Sequence, residues 1–314
     1  MAQTIENILQ ILVAGLLVGC IYGLMCMGLG LVFGVMKIIN FAHGEFLMLG
    51  MYATYFCTQA LGAAYAGLWS PFVSALLVSP LLFALGAFTY RATLGAVSQN
   101  RRINDESRHS AQLVITLGLA LIIQNGALML FGSQPQTVPT PLAAAAWTVG
   151  PLFGEDVLLF INKARAVATV VAIVAVALAY AALVKTPLGK SVRAAADDPD
   201  AAVYCGIDVR LVYCLTFGLG AAITALAGGL AAGFHSFQPY VGLEFVVIMY
   251  AGVVLGGLGS ILGAFWGGFT IGLIQQLSTL VLPQQLQNAS VFVIFLLILL
   301  FLPQGLLGRH AERA

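Results

Sequence analysis

Nine apolar runs follow one another along this chain, near residues 9–35, 44–62, 69–90, 112–131, 164–184, 210–232, 243–259, 261–282 and 290–303. At 1.5 Å per helical residue, each is long enough, or nearly so, to cross about 30 Å of hydrocarbon. Backbone polar groups find no water in that layer, so segments of this kind fold as helices. The chain of 314 residues is 61% hydrophobic and 8% charged, against roughly 25% charged residues in soluble domains. The expected fold is an all-α polytopic membrane protein with about eight to ten transmembrane helices. The range reflects a short last run and interruptions in the second and seventh. We read residues 1–314 as one transmembrane domain, its first half at about 9–131 and its second at about 210–303.

A net charge of +1 gives no reason to invoke nucleic acid; the placement of the charges is what informs. Arg91, Arg101, Arg102 and Arg108 fall in 91–110, Lys185, Lys190, Arg193 and Arg210 in 185–210, and Arg309 and Arg313 in the tail. The positive-inside rule places all three on the cytoplasmic side. The segment 132–160 has Glu155 and Asp156 but no Lys or Arg, so it faces outside. Nine spans satisfy this with the N-terminus outside and the C-terminus inside. The start MAQTIEN has no basic residue, so the first run is expected to stay as a span rather than act as a cleaved signal. Pro135, Pro139, Pro141 and Pro151 exclude a helix through the outer loop. The five cysteines form no C-x-x-C pair and are read as small apolar packing residues.

The polar exception is KIINFAHGEFLMLGMY, Lys37 to Tyr52, which sets Lys37, Asn40, His43 and Glu45 between apolar runs interrupted by Gly44 and Gly50. An ionisable group in hydrocarbon costs at least about 2.5–3.5 kcal/mol on insertion scales, so it needs a partner, water or a function. A broken helix lining a polar path is one reading; a structural pairing of Glu45 with Lys37 or His43 is the other. The segment has a faint echo 199 residues on, where Glu244-Phe245 and Met249-Tyr250 repeat Glu45-Phe46 and Met51-Tyr52 with one residue less between them. Paired broken helices in an inverted repeat are one explanation; chance similarity of two apolar segments is another. For Glu244 and His235, solvation at the outer interface is the plain alternative.

Glycines at four-residue spacing, Gly15, Gly19 and Gly23, then Gly259, Gly263 and Gly267, suit close helix packing. The run GVVLGGLG, Gly252 to Gly259 with Gly256 and Gly257 at its centre, is denser than packing needs and suggests a bend or an unwound stretch beside the path.

On the cytoplasmic side, PLGKSVRAAADDPDAAVYCGIDV (Pro187 to Val209) reads as two short helices. The first covers Leu188 to Asp197; Pro199 opens the second at its first turn, Asp198 caps it and Gly206 ends it. Ala194, Ala195 and Ala196 give a low-relief face beside Arg193 and the acids, a rigid knob suited to a soluble partner. Gly189-Lys190-Ser191 is no P-loop, because Val184 stands where that motif needs a glycine. His43-Gly44-Glu45 is no zinc-protease motif, and no metal-ligand spacing or catalytic set occurs.

INFAHGEFLMLGMY (Ile39 to Tyr52) resembles the signature of branched-chain amino acid ABC transporter permeases of the LivH type. The segment Pro187 to Val209 looks like that family's coupling segment, and GVVLGGLGSILGAFWGG and LPQGLLGR resemble its C-terminal half. The resemblance implies a permease of the bacterial inner membrane that is not itself an enzyme and holds no cofactor, with ATP and magnesium on partner subunits. It implies a second related permease subunit, two cytoplasmic ATPase subunits and a periplasmic solute-binding protein, besides membrane lipid. On that reading Asn40, His43, Gly44, Glu45, Glu244, Gly256 and Gly257 shape the translocation pathway. Leu188, Gly189, Arg193, Asp197, Asp198 and Gly206 belong to the ATPase coupling segment. Urea or amide permeases and aromatic or aliphatic carboxylate permeases share the family. A stand-alone channel or secondary carrier using Glu45, His43 and Glu244 is the reading from another class.

Overall fold

The computed structural model describes residues 2–98, 104–152, 157–283, 286–301 and 305. Arg101, Arg102, Glu155, Asp156, Arg309, Arg313 and all but Gly305 of the terminal LPQGLLGR lie outside the described residues. The chain is an all-α polytopic membrane protein with one small β-hairpin.

Helix α1 runs Ala2–Met36, its 35 residues reaching about 52 Å. It ends at Lys37, whose φ of 54° no continuing helix allows. Helix α2 is His43–Ala66, α3 Ser70–Thr89 and, through a π-turn at Tyr90–Leu94, α4 Gly95–Ser98. Then come α5 (Asp105–Phe131), strands β1 (Ala146–Leu152) and β2 (Val157–Asn162), and α6 (Lys163–Lys185). After them follow α7 (Pro187–Asp197), α8 (Pro199–Tyr204), α9 (Val209–Ala231), α10 (Val241–Gly256), α11 (Ile261–Ser278) and α12 (Gln287–Phe301).

Among the described residues, five helices are long and apolar enough to cross a membrane, or six if the bent pair α10–α11 counts as one span. The nine-run reading differs here for local reasons. α2 carries His43 and Glu45 in its first turn, α12 covers 15 described residues, and α10 and α11 meet at a 120° bend instead of standing as two separate spans. The break falls at 257–260, where Gly257 (φ 101°) and Gly259 (φ 92°) take conformations open to glycine. Ser260 then caps α11, its hydroxyl accepting from Gly263 N at 3.0 Å. Gly259 is thus a turn residue and not part of a packing stripe. Helices also overrun their apolar runs: α3–α4 extends to Ser98 and α5 starts at Asp105. Hydropathy marks only the part of a helix that lies in lipid.

Helix α1 is the central post, packed against α6, α9, α10 and α11. Its glycines set an antiparallel register with α11: Gly15 faces Leu273 and Gln276, Gly19 faces Phe269, and Gly23 faces Phe265. Lipid offers no hydrophobic drive for helix association, so close backbone contact supplies the attraction. The two arms of the α10–α11 bend are closest of all. A Cβ on Gly256 would fall 1.9 Å from Gly263 O, and one on Gly267 1.9 Å from Gly252 O.

The segment 132–162 contains no helix in its described part. Ala146–Leu152 and Val157–Asn162 pair antiparallel, with an irregularity between Val149 and Leu152. Gln10 of α1 holds this hairpin, its side-chain oxygen accepting from Phe160 N at 3.0 Å. Gln136 pairs with Phe237, tying the segment to the loop before α10.

Gly267→Ala should lower stability by about 1–3 kcal/mol, the usual range for overpacking. Gly118→Ala, with nothing within 4 Å of the new methyl, should leave stability unchanged or slightly raise it. Thermal unfolding of the two variants in detergent checks the contrast.

Candidate functional site

Two helices begin inside the bundle, and their starts meet. α2 begins at His43 and α10 at Val241. Phe41 lies against Tyr250 at 5.8 Å between ring centroids and Tyr52 against Phe237 at 4.9 Å, so the two segments run antiparallel. Between these contacts Gly44 and Gly242 touch, a Cβ on Gly44 falling 2.1 Å from Gly242 O. A Cβ on Gly242 would sit 2.7–2.8 Å from the Glu45 carboxylate atoms. The two Glu-Phe motifs that echo one another in sequence therefore lie side by side.

The depth follows from α9. The ring of His43 lies 3.4 Å from where a Gly220 Cβ would stand, and Gly220 is twelfth of the 23 residues of α9. Asn40 and His43 are wholly buried and Glu45 is 1% exposed. His43 Nε2 and Thr224 Oγ1 are hydrogen-bonded at 2.7 Å, and Asn40 Oδ1 accepts from Ala42 N at 3.1 Å. Asn40 Nδ2, His43 Nδ1 and Glu45 Oε2 have no hydrogen-bond partner. Glu45 stands in the first turn of α2 and against the first turn of α10, so one carboxylate serves the positive ends of two helices. Its neighbour is α10; Lys37, considered as a partner from sequence, is exposed on its positive-φ turn and His43 is engaged with Thr224.

The remaining pathway candidates lie elsewhere on α10. Glu244 is exposed, and it borders two openings. One, of about 260 Å³, lies between α10 and α12 and is walled by Leu243, Val247, Ile248, Val291 and Phe292 with Asn288. The other, about 210 Å³, opens among His235, Ser236 and Gln238. Asn288, which lines the groove, accepts through Oδ1 from Gln275 Nε2 at 2.8 Å. Gly256 is buried against Gly263, and Gly257 turns the chain at the end of α10. Sequence reasoning missed Gly242 and Thr224. A glycine two residues before Glu244, and a hydroxyl in apolar α9, were the signals available.

Helices α7 and α8 form as their punctuation requires. Thr186 caps α7, accepting from Gly189 N at 3.1 Å. Asp198 caps α8, accepting from Asp200 N and Ala201 N at 3.0 Å each, and Gly206 ends the segment at φ 81°. Gly189, Val192 and Ala195 are buried, and Arg193 Nη1 donates to Leu183 O, fastening α7 to the end of α6. The three alanines do not form the outer face: Ala195 is buried and Ala194 and Ala196 are half-buried. α7 is amphipathic and turns its small residues inward. The exposed knob consists of Leu188, Arg193, Asp197, Val203 and Tyr204, the last 91% exposed.

His235 lies in the loop between α9 and α10. Burial holds its pKa below the ordinary histidine value, with Glu244 opposing and Arg165 reinforcing the shift. The folded state thus favours neutral His235. Its contribution is complete above about pH 6.5, the unfolded value, and is lost as pH falls below that. The midpoint of thermal unfolding should fall between pH 7.5 and pH 5.5, and less so in His235→Gln. Thr224→Val, which strips His43 of its bond, should cost about 1–3 kcal/mol, and Thr224→Ser much less; thermal unfolding reads both.

Comparison with known proteins agrees with this architecture. The family described as branched-chain amino acid transport system / permease component matches residues 11–302. The high-affinity branched-chain amino acid transport system permease protein LivH of Escherichia coli strain K12 is 30% identical over 98% of each chain. The corresponding permease protein BraD of Pseudomonas aeruginosa is 30% identical over 97% of each. A probable LivH of Methanocaldococcus jannaschii is 27% identical over 91% of this chain and 88% of its own. No solved structure matches the chain. The chain belongs to the family of branched-chain amino acid transport system permease components.

Proposed function

We propose that this protein is the permease subunit of an ATP-driven importer, passing a branched-chain amino acid along the exposed face of α10. The observation that carries this reading is the two-sidedness of α10. One side is fixed inside the bundle by Gly242 against Gly44 and Glu45. The other presents Leu243, Glu244 and Val247 to the outside of the chain. A carboxylate facing lipid is unfavourable, whereas one in a watery passage is not. The groove beside it has apolar walls, an acid and an amide, a match for a solute with an ammonium, a carboxylate and an aliphatic side chain.

In this proposal Asn40, His43, Gly44 and Glu45 set the position of α10 without touching the solute. Gly256 and Gly257 form the close contact and turn about which α10 and α11 are held. The knob at Leu188, Arg193, Asp197, Val203 and Tyr204 receives an ATPase subunit. Asp198 and Gly206 keep its two helices at a fixed angle, and Gly189 lets α7 lie against Leu183. A second permease closes the passage and a binding protein delivers solute on the outer side. The membrane is the bacterial inner membrane, with the N-terminus periplasmic and the C-terminus cytoplasmic. ATP and magnesium belong to the ATPases.

Reconstituted with ATPase subunits, a second permease and a solute-binding protein of a branched-chain amino acid transport system, the complex should take up leucine only with ATP. Glu244→Gln should lower uptake at least tenfold with complex yield unchanged, and Tyr204→Ala with Arg193→Glu should uncouple ATP hydrolysis from uptake. Uptake without the ATPase subunits would instead identify a stand-alone carrier. Full uptake by Glu244→Gln would remove the passage from α10.

A further inference from the structure

A cleft of about 420 Å³ opens on the Lys/Arg-rich side of the bundle, where the π-turn at Tyr90–Leu94 meets the start of α9. Arg91 enters it from the π-turn and Arg210 from α9, with Asp208, Leu211 and Cys214 completing much of the wall. The transport pathway and the coupling knob use neither arginine. The Asp208 carboxylate is already engaged, accepting from Arg210 N at 3.0 Å and Leu211 N at 3.2 Å, and two guanidinium groups outweigh its single charge. Guanidinium groups on separate elements are suited to a phosphate, which they bind through charge-assisted hydrogen bonds.

The surface leading to the cleft distinguishes a lipid from a free ion. Leu77, Leu81, Leu85 and Phe88 stand along one stripe of α3, 58%, 64%, 39% and 68% exposed. Arg91 follows Phe88 by three residues, on the same helical face. An acyl chain can lie on this stripe while its headgroup reaches the cleft, and free phosphate has no use for the stripe. The side is cytoplasmic by the charge rule, and anionic lipids are concentrated in that leaflet.

From this juxtaposition we propose that Arg91 and Arg210 form a headgroup site for an anionic phospholipid whose chain lies along Leu81, Leu85 and Phe88. Such a lipid joins the end of α3 to the start of α9, the helix on which α7 and α8 rest.

The full chain, purified in detergent, is offered phosphatidylglycerol, phosphatidylcholine of the same chains, or inorganic phosphate, and retained ligand is read by native mass spectrometry. Phosphatidylglycerol should be retained at least fivefold over phosphatidylcholine. Arg91→Gln with Arg210→Gln should erase the preference, and Arg91→Lys with Arg210→Lys should keep most of it. Equal retention of the two lipids, or an unaltered preference in the glutamine pair, overturns the site. Displacement of the lipid by millimolar inorganic phosphate overturns the lipid assignment in favour of a free-phosphate site. Should the glutamine pair fail to fold, Phe88→Trp in otherwise native protein decides. Its fluorescence, after subtraction of the signal that Trp69, Trp147 and Trp266 give in the unsubstituted protein, should be quenched more by brominated phosphatidylglycerol than by equal brominated phosphatidylcholine, and equal quenching overturns the proposal.

Discussion

The contact between Glu45 and the start of α10 is the constraint on which the centre of this protein depends. Two helices that begin inside a membrane bundle bring two sets of unsatisfied N–H groups, and two positive ends, into a region without water. Bringing those ends together calls for an acceptor between them. The Glu45 carboxylate stands at both, and the absence of a side chain at Gly44 and Gly242 lets the backbones close around it. Asn40 and His43 are buried beside this contact, where Asn40 Oδ1 serves the turn and His43 Nε2 serves α9.

Fixing the start of α10 in this way has consequences along its length. Its far end is pinned by Gly252 and Gly256 against Gly267 and Gly263, contacts that only hydrogen-sized side chains permit. A helix held at both ends along one side has its other side free to vary, and there Glu244 stands among apolar neighbours. In the proposed function the polar groups most conspicuous in the sequence build the scaffold, and the groups proposed to meet the solute are sparser and nearer the surface.

Local signals were the most legible. Asp198, Pro199 and Gly206 wrote the division of this segment into α7 and α8 almost residue by residue, because caps and turns are decided within three or four positions. The break before His43 was visible for the same reason. The inward turn of Ala195 was not, since a run of alanines has no preferred face until α7 packs on the bundle. Nor was the β-hairpin, whose strands depend on Gln10 far away in sequence.

The sequence by itself determined that this chain lies in a membrane as helices, where several of them start, and which family it belongs to, because burial of backbone in lipid and helix capping act over short stretches. Only the tertiary structure decided that Gly242 receives Glu45, that Thr224 receives His43, that Gly259 turns while Gly263 packs, and that the α10–α11 pair folds back on itself. Each of those depends on which surface arrives from a distant segment, and an apolar helix carries no record of its neighbour until the two backbones touch.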